Sequence, residues 1–574
     1  MHALARLVAL GTCCRRMEGG RLSPKGWVRK GTGIRRYVLL CLLCSTLYAP
    51  GLIAIPPLDR DEARFAQATR QMLASGDFIR IRFQDEARNK KPVGIYWLQA
   101  AAVAVFSSPE STAIWPYRLP SILGATAAVL LIFAIGTRLL GSPQAGFIAA
   151  VLMGSALGVV VEAHLAKTDA ALLATVVAGQ GALGLVYAAT RGGRRVPRSL
   201  PFVFWSAEGV AMLLKGPPGP LLALLTMASL SIADRDIRWL GRLQPLAGIS
   251  ITALIVSPWL VAVESATGGR FIFDAVSNDL LPKLVGAQES HGAPPGYYAV
   301  LAIVCFWPGS LFVVPALLRG WQQRHAAAER FLLAWLGPAW IFFELGPTKL
   351  PHYALPLYPA LALLAGGALA DGFTKCLAGR ARFFDAAIKL LWGVVTIGLV
   401  AALVVLPGRF GGAVSPATIA ATLVMLGLAL LFFLFNWRPV YATGLLATLA
   451  AAFVLPAAIE VAPEVNSLWL SRSAAALLAR YPPHSGEAVL SVGYSEPSLV
   501  FLLGTATRLV TAAPADHQLA GAGMALVNER FDAEFRQSLA SHNLAIRALG
   551  RVEGLDYSSG GGKLLLTLYR LESD

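Results

Sequence analysis

Apolar stretches of about 17–25 residues recur between positions 36 and 462, the length a helix needs to cross the hydrocarbon of a bilayer. They predict about 13 spans, at roughly 37–57, 117–137, 143–163, 169–190, 199–215, 217–233, 244–264, 296–318, 329–346, 352–371, 385–407, 415–437 and 440–461. A further apolar run at 93–107, VGIYWLQAAAVAVFS, is only about 15 residues long, which suits a helix lying along the interface. In the polar stretch before it, Asp61 and Glu62 open an amphipathic helix whose Phe65, Ala68 and Met72 share one face. Beyond 462 the pattern changes. Short β-type runs (AVLSVGY, TRLVTAA, MALVNE, KLLLTLYR) alternate with helical SEPSLVFLL and FDAEFRQSLAS, a small α/β unit. The chain thus reads as a basic tail over 1–36, a polytopic α-helical membrane domain over 37–462 and an α/β domain over 463–574.

Composition agrees with this pattern: 56% of the 574 residues are hydrophobic and 14% charged, more apolar surface than a soluble chain can hide. The net charge of +16 does not point to nucleic acid, because the basic residues lie in short loops between spans. Arg6, Arg15, Arg16, Arg21, Lys25, Arg29, Lys30, Arg35 and Arg36 precede the first span, and no A-x-A site follows it. That predicts a retained helix with a cytoplasmic N-terminus. Cys13, Cys14, Cys41, Cys44, Cys305 and Cys376 all fall outside the segments placed on the far side, so no disulfide framework is expected.

Charge also decides the sidedness. With 93–107 at the interface, the loops carrying Arg138, Arg191–Arg198, Arg235–Arg242, Arg319, Arg324, Lys375–Arg382 and Arg438 are cytoplasmic, as the positive-inside rule requires. The loops left outside are 58–116, 164–168, 216, 265–295 and 347–351, and they hold nearly all the unusual polar residues near span ends. The α/β domain lies on the same side. Ionisable groups at membrane edges are costly unless they pair or work. Taken alone, Asp61 and Glu62 read as helix-capping acids, Asp169 as the cap of its span, and Arg64 and Lys91 as solvated charges. Lys167 and Lys215 read as snorkelling lysines, and His164 and His352 as interfacial residues. Glu208, in the middle of a span, must face the bundle interior.

Several motifs taken together change that reading. DEARFAQATRQMLASGDF followed by NKKPVGIYWLQAAAVAVF resembles the first external loop of the bacterial aminoarabinose–lipid A transferases and of the related protein O-mannosyltransferases, membrane glycosyltransferases of the GT-C fold. LAKTDAALL, LLKGPPGPLLAL, SPWLVAVE, ESHGAPPGYYAV and GPTKLPHYALPLYPALALL are similar to further motifs of that family, in the same order across roughly 40–370. The resemblance implies a GT-C fold ending in a small external α/β domain. It makes Asp61 the essential first-loop carboxylate and Asp169 a second acidic residue, both catalytic. Arg64, Lys90, Lys91, Lys349 and Tyr353 become donor-phosphate ligands or neighbours of the lipid phosphate, and Glu62, Lys215 and His291 further cavity groups. The implied donor is an undecaprenyl-phosphate-linked sugar and the acceptor lipid A or another envelope molecule, at the bacterial inner membrane with the C-terminal domain periplasmic. In the aminoarabinose transferases a Glu precedes this Lys-Pro and binds a divalent metal with the external histidine. Here that position is Lys90, so a metal is implied less strongly, with His291 as its remaining ligand.

The chemistry fits the resemblance. A polyprenyl phosphate leaves without a general acid, so the site must supply positive charge where phosphate charge develops, from groups such as Arg64, Lys91 and Lys349. A carboxylate, Asp61, orients or deprotonates the acceptor, and single displacement inverts the anomeric carbon. An acceptor phosphate is already ionised and needs only positioning, whereas a hydroxyl needs a base. The alternatives are a protein O-mannosyltransferase-type enzyme and a transporter or flippase of polyprenyl-linked substrates. Against transport, no inverted repeat is visible and the polar residues gather at one face and not at the midplane. In the C-terminal domain Ser558–Lys563 reads as a hairpin turn and not a phosphate loop.

Overall fold

The structure, a computed structural model, describes residues 30–282, 292–373, 377, 379–435, 437–540, 542 and 544–573. His291, Lys375, Cys376 and the tail before residue 30 lie outside the described residues. Each apolar stretch of the sequence is helical, but not always as one straight rod. Among the described residues seven helices are long and apolar enough to cross a membrane, or nine if each of two bent pairs counts as one span. The pairs are Pro143–Ser155 with Leu157–Ala163, bent by 60°, and Tyr297–Cys305 with Gly309–Gln322, bent by 119°. The stretches 143–163 and 296–318 are therefore broken helices, the second at a Trp307-Pro308 step where proline removes a backbone donor. Four more of the 13 expected spans, Lys30–Tyr48, Ser199–Lys215, Pro218–Asp234 and Ala327–Leu345, are helices that fall short of the same length and apolarity. The chain is a multi-pass membrane protein with a mainly helical body.

Small residues bring the helices together, as hydrocarbon gives no hydrophobic drive for their association. At Gly124 a Cβ would lie 2.7 Å from the Ala170 carbonyl, so the glycine lets the Trp115–Leu139 helix meet the start of the Asp169–Arg191 helix. The apolar 93–107 run forms the helix Gly94–Phe106, about 20 Å long at 1.5 Å per residue and too short to cross. At Gly94 a Cβ would meet the Leu213 carbonyl at 2.6 Å, and this close approach seats the short helix against Ser199–Lys215.

The first loop is ordered. Its helix Asp61–Ser75 buries Phe65, Ala68 and Met72 and ends at Gly76, whose left-handed backbone returns its N–H to the Met72 carbonyl. A two-residue hairpin, β1 (Arg82–Phe83) and β2 (Glu86–Ala87), follows. The C-terminal sheet contains β3 (Ala488–Val492), β4 (Arg508–Val510), β5 (Ala522–Asn528), β6 (Leu544–Asp556) and β7 (Gly562–Ser573) in the order β4-β3-β5-β7-β6. β3 runs parallel to β4 and β5, while β5, β7 and β6 are antiparallel. The β6–β7 connection contains Ser558–Gly561, the turn expected before the last strand.

This domain is docked on the first loop rather than hung from a linker. Phe501 is fully buried among Ala66, Val103, Ile114, Tyr117 and Ala166, edge-on to Tyr117 at 5.5 Å. Gln67 donates to Thr505 Oγ1 at 2.8 Å, Arg70 to the Phe501 carbonyl at 2.8 Å, and the Asp59 N–H to the Tyr557 hydroxyl at 2.8 Å.

Candidate active site in the first loop

The loop is anchored by a buried charge pair. Arg118, with no exposed surface, donates from Nε and Nη2 to the two carboxylate oxygens of Glu62 at 2.8 and 2.9 Å, and to the Leu52, Ile55 and Pro56 carbonyls at 2.8–3.0 Å. Glu62 also accepts the N–H groups of Leu58 and Ala166 at 2.8 Å each. Such a pair is tolerated out of water only when its remaining donors and acceptors are satisfied, and here they are. Glu62 therefore does not line the cavity as expected: it fastens the chain on either side of Asp61 to the 164–168 loop.

Its neighbour Asp61 faces the opposite way. The Asp61 side chain is 58% accessible, with Arg88 Nη2 at 4.0 Å. Protein still surrounds it closely enough that desolvation is the largest influence on its acidity and would raise it. Lys167, Arg88, His352 and Arg64 outweigh that and hold the carboxyl below its usual range. The result is an ionised, reachable carboxylate in a cationic recess.

Asp169 begins its helix and is 6% exposed. Lys215 Nζ lies 2.5 Å from its Oδ1, Lys167 Nζ 3.9 Å from Oδ2 and His352 Nε2 4.0 Å from Oδ1. Lys167 also meets Glu162 Oε1 at 3.1 Å. Burial alone would lower the Lys167 pKa, but Glu162, Asp169 and Asp61 push it above the ordinary lysine value. Lys215 stands over the Tyr353 ring at 5.6 Å, and Tyr353 packs edge-on to His352 at 5.0 Å. The structure thus gathers Asp61, Arg64, Asp169, Lys215 and Tyr353 with Arg88, Glu162, Lys167 and His352.

Of the other expected ligands, Lys91 and Lys349 are held by partners of their own. Lys91 pairs with Asp279 at 2.9 Å, and its neighbour Asn89 donates to Asp274 at 2.9 Å. Lys349 is buried and donates to the Ala293 and Pro294 carbonyls at 2.8 and 3.0 Å. Glu344, 3.8 Å from it, accepts the N–H groups of Gly296 and Tyr298 at the start of the next helix. Lys349 thus steadies the loop beside the histidine segment. Lys90 is exposed, and His291 lies outside the described residues. His164 is held between the Val160 and Pro50 carbonyls at 2.7 and 2.8 Å, a packing role. Glu208 is buried between helices, and its Oε2 has no hydrogen-bond partner among the described residues.

Arg88, Arg118 and Glu162 were not singled out from the sequence. Arg88 is the first basic residue of the RNKKP run, Arg118 a lone arginine in the otherwise apolar WPYRLP, and Glu162 a lone acid in the apolar GVVVEAHL. A single charge inside an apolar stretch was the available signal.

The donors suit a divalent ion poorly. Glu162, Asp169 and His352 do bring ligand atoms within 4.8 Å of one another. However, Lys215 and Lys167 already neutralise the two carboxylates, so an ion would enter against two ammonium groups. The position that the resemblance would give to a metal-binding Glu is the exposed Lys90.

A membrane-embedded helical body, a structured first loop bearing an open carboxylate, and a docked α/β domain define the GT-C fold. The structure is similar to ArnT from Cupriavidus metallidurans bound to undecaprenyl phosphate, with a TM-score of 0.69 at 19% identity over 94% of this chain and 98% of that one. It is also similar to the archaeal oligosaccharyltransferase AglB from Archaeoglobus fulgidus, with a TM-score of 0.53 at 13% identity over 94% and 74% of the two chains. In sequence, residues 90–261 match the family described as dolichyl-phosphate-mannose-protein mannosyltransferase. The chain is 31% identical to the undecaprenyl phosphate-alpha-4-amino-4-deoxy-L-arabinose arabinosyl transferase 2 of Pseudomonas fluorescens Pf0-1 over 343 residues. It is also 31% identical to the corresponding transferase of Pseudomonas aeruginosa UCBPP-PA14 over 335 residues. These alignments span 60% and 58% of the relatives' length, and 59% and 56% of this chain.

Proposed function

We propose that this protein is an inverting glycosyltransferase that moves a sugar from an undecaprenyl-phosphate carrier to a phosphorylated envelope glycolipid of the lipid A kind. The donor sugar by this reading is an aminoarabinose, as in the relatives' names. The reaction takes place on the periplasmic face of the inner membrane, with the N-terminus on the cytoplasmic side.

The observation that carries this reading is the state of Asp61: open to substrate, with Arg88 Nη2 at 4.0 Å, and acidified chiefly by Lys167, Arg88 and Arg64. A carboxylate so acidified is a weak base but a good positioning group, which suits an acceptor that is itself an ionised phosphate. The same cations stabilise charge as it grows on the departing lipid phosphate. The acceptor oxygen attacks the anomeric carbon as the C–O bond to the carrier phosphate breaks, and the polyprenyl phosphate leaves as an anion. Asp169, already paired with Lys215, holds that ammonium and Lys167 at the rim.

A second reading, transfer to a serine or threonine hydroxyl, draws on the mannosyltransferase family match at 90–261. Purified full-length protein in vesicles, given undecaprenyl-phosphate-linked aminoarabinose with lipid A or with a hydroxyl-bearing peptide, separates the two. Product on lipid A, abolished in Asp61→Asn, is expected. Product on the peptide alone favours the second reading, and product on neither refutes both.

A further inference from the structure

The C-terminal domain contains a cavity of about 620 Å3 that the chemistry above does not use. It lies beyond the carboxyl ends of β3 and β5, against Gly493, Asn528, Glu529, Arg530 and Phe531, and is bordered by Asp556 at the end of β6 and Lys563 at the start of β7. This is where the chain order reverses: from β3 it passes to β4 on one side, then returns to β5 on the other. In parallel α/β sheets the crevice at such a reversal is the usual ligand site, because diverging connections leave a gap lined by strand ends. The volume is within the roughly 300–1,000 Å3 of small-ligand pockets.

The gap is kept open and stiff. At Gly493, with φ of +69°, a Cβ would strike the Phe531 ring at 2.2 Å, so only glycine lets the ring form that wall. Asn528 is buried, donates to the Gly493 carbonyl at 3.1 Å and accepts the Arg530 N–H at 3.2 Å. Asp556 accepts from the Ser558 hydroxyl and the Ser559 N–H at 3.1 Å each, shaping the opposite wall.

This end of the sheet is also the end that meets the first loop. Tyr557, next to Asp556, accepts the Asp59 N–H, and Asp59 is two residues from Asp61. The cavity wall is therefore tied to the first loop two residues before the candidate catalytic carboxylate. Its lining combines two cations, Arg530 and Lys563, with two carboxylates, Glu529 and Asp556, an amide and one aromatic ring. That set matches a sugar carrying an anionic substituent: hydroxyls for Asn528 and Asp556, a ring face for Phe531, and a phosphate for Arg530 and Lys563.

We propose that this cavity holds the phosphorylated sugar headgroup of the acceptor, keeping its reactive end at Asp61 while its acyl chains remain in the bilayer. The proposal rests on the glycolipid-acceptor reading above. Its test uses full-length protein in vesicles, with lipid A as acceptor and deacylated, phosphorylated glucosamine disaccharide as a soluble probe. In Arg530→Ala/Lys563→Ala the KM for lipid A is expected to rise about tenfold or more, as the loss of two charged contacts predicts. The donor KM and slow donor hydrolysis stay at wild-type values. The disaccharide competes with lipid A in wild type and loses its effect in the variant. Lys563 is exposed at the start of β7, so Lys563→Ala alone serves if the double variant does not fold. An unchanged acceptor KM, or a donor KM that rises in step, overturns the proposal while leaving the transferase reading intact. Wild-type protein that neither uses lipid A nor binds the disaccharide overturns both.

Discussion

Glu62 and Arg118 form a two-pronged ion pair, at 2.8 and 2.9 Å, entirely removed from solvent, beside the exposed Asp61. Adjacent acids thus have opposite tasks. Removing one partner strands a buried charge, which costs about 3–5 kcal/mol. Arg118→Ala and Glu62→Ala are expected to lower the thermal midpoint of the detergent-solubilised protein sharply and to reduce its yield. Asp61→Asn, on an accessible side chain, should leave the midpoint within about 2 °C of wild type. A similar loss in all three variants would refute this division of labour.

Asp61 should control rate with little effect on binding. Asp61→Asn is expected to reduce transfer by about 10²-fold or more at an unchanged donor KM, as the loss of a positioning carboxylate predicts. Because neighbouring cations acidify this carboxyl, the acid limb of the kcat/KM profile should lie below the ordinary carboxylate range. Lys167→Met removes the strongest of those cationic influences and should shift the limb upward. A limb that stays in place would disconnect it from Asp61.

Asp169 and Lys215 should behave as one unit, since Nζ and Oδ1 are 2.5 Å apart and little of either is exposed. Asp169→Asn and Lys215→Met each leave a partner unpaired, so the double variant is expected to lose less activity than the sum of the single losses. The predicted coupling is about 1–3 kcal/mol in a double-mutant cycle on kcat/KM. Additive losses would show that the two act separately.

Chelation is a direct check on the cation balance. With Lys215 and Lys167 seated on the carboxylates of Asp169 and Glu162, and Lys90 at the position where the resemblance implies a metal-binding Glu, transfer should continue after dialysis against EDTA. Activity is expected to stay within about twofold of the untreated enzyme, and added divalent ions should not raise it. Loss on chelation, restored by one particular ion, would contradict this.

The distribution of apolar stretches in the sequence anticipates most helices, because hydrophobic length is dictated by the bilayer whatever the helices later touch. The breaks at Ala156 and Trp307-Pro308 are less legible, since a bent pair has nearly the composition of a straight span. Strand β6, with Arg547, Arg551 and Glu553 along the sheet edge, does not read as a strand because edge strands are commonly charged. In the site, motif resemblance marked Asp61, Arg64, Asp169, Lys215 and Tyr353. It did not separate Glu62 from Asp61, because the pairing of Glu62 depends on Arg118, 56 residues away in sequence. Lys167 and His352 read as interfacial for the same reason: only the folded loops place them against Asp169.

The seam between the first loop and the C-terminal domain should weaken as pH rises. Asp59 and Glu496 sit in this seam, with Asp556 and Arg60 nearby and the hydroxyls of Tyr557, Ser498 and Ser558 against them. Burial, helped by the mutual repulsion of the acids, lifts Asp59 to about 6 and Glu496 to about 7 against the opposing hydrogen bonds and Arg60. Both folded values exceed the ordinary ones, so the docked state holds protons that the undocked state releases. Docking is then most stable at acidic pH, loses stability as pH climbs from the ordinary carboxylate range to about 7, and levels off above it. The change should amount to roughly 1–3 kcal/mol for each group. Hydrogen exchange in the 556–562 turn, corrected for intrinsic rates, should therefore be faster at pH 8 than at pH 5. Glu496→Gln, with no charge to develop, should flatten the dependence and protect the turn at high pH. If Glu496→Gln follows the wild-type profile, the acids do not govern the seam.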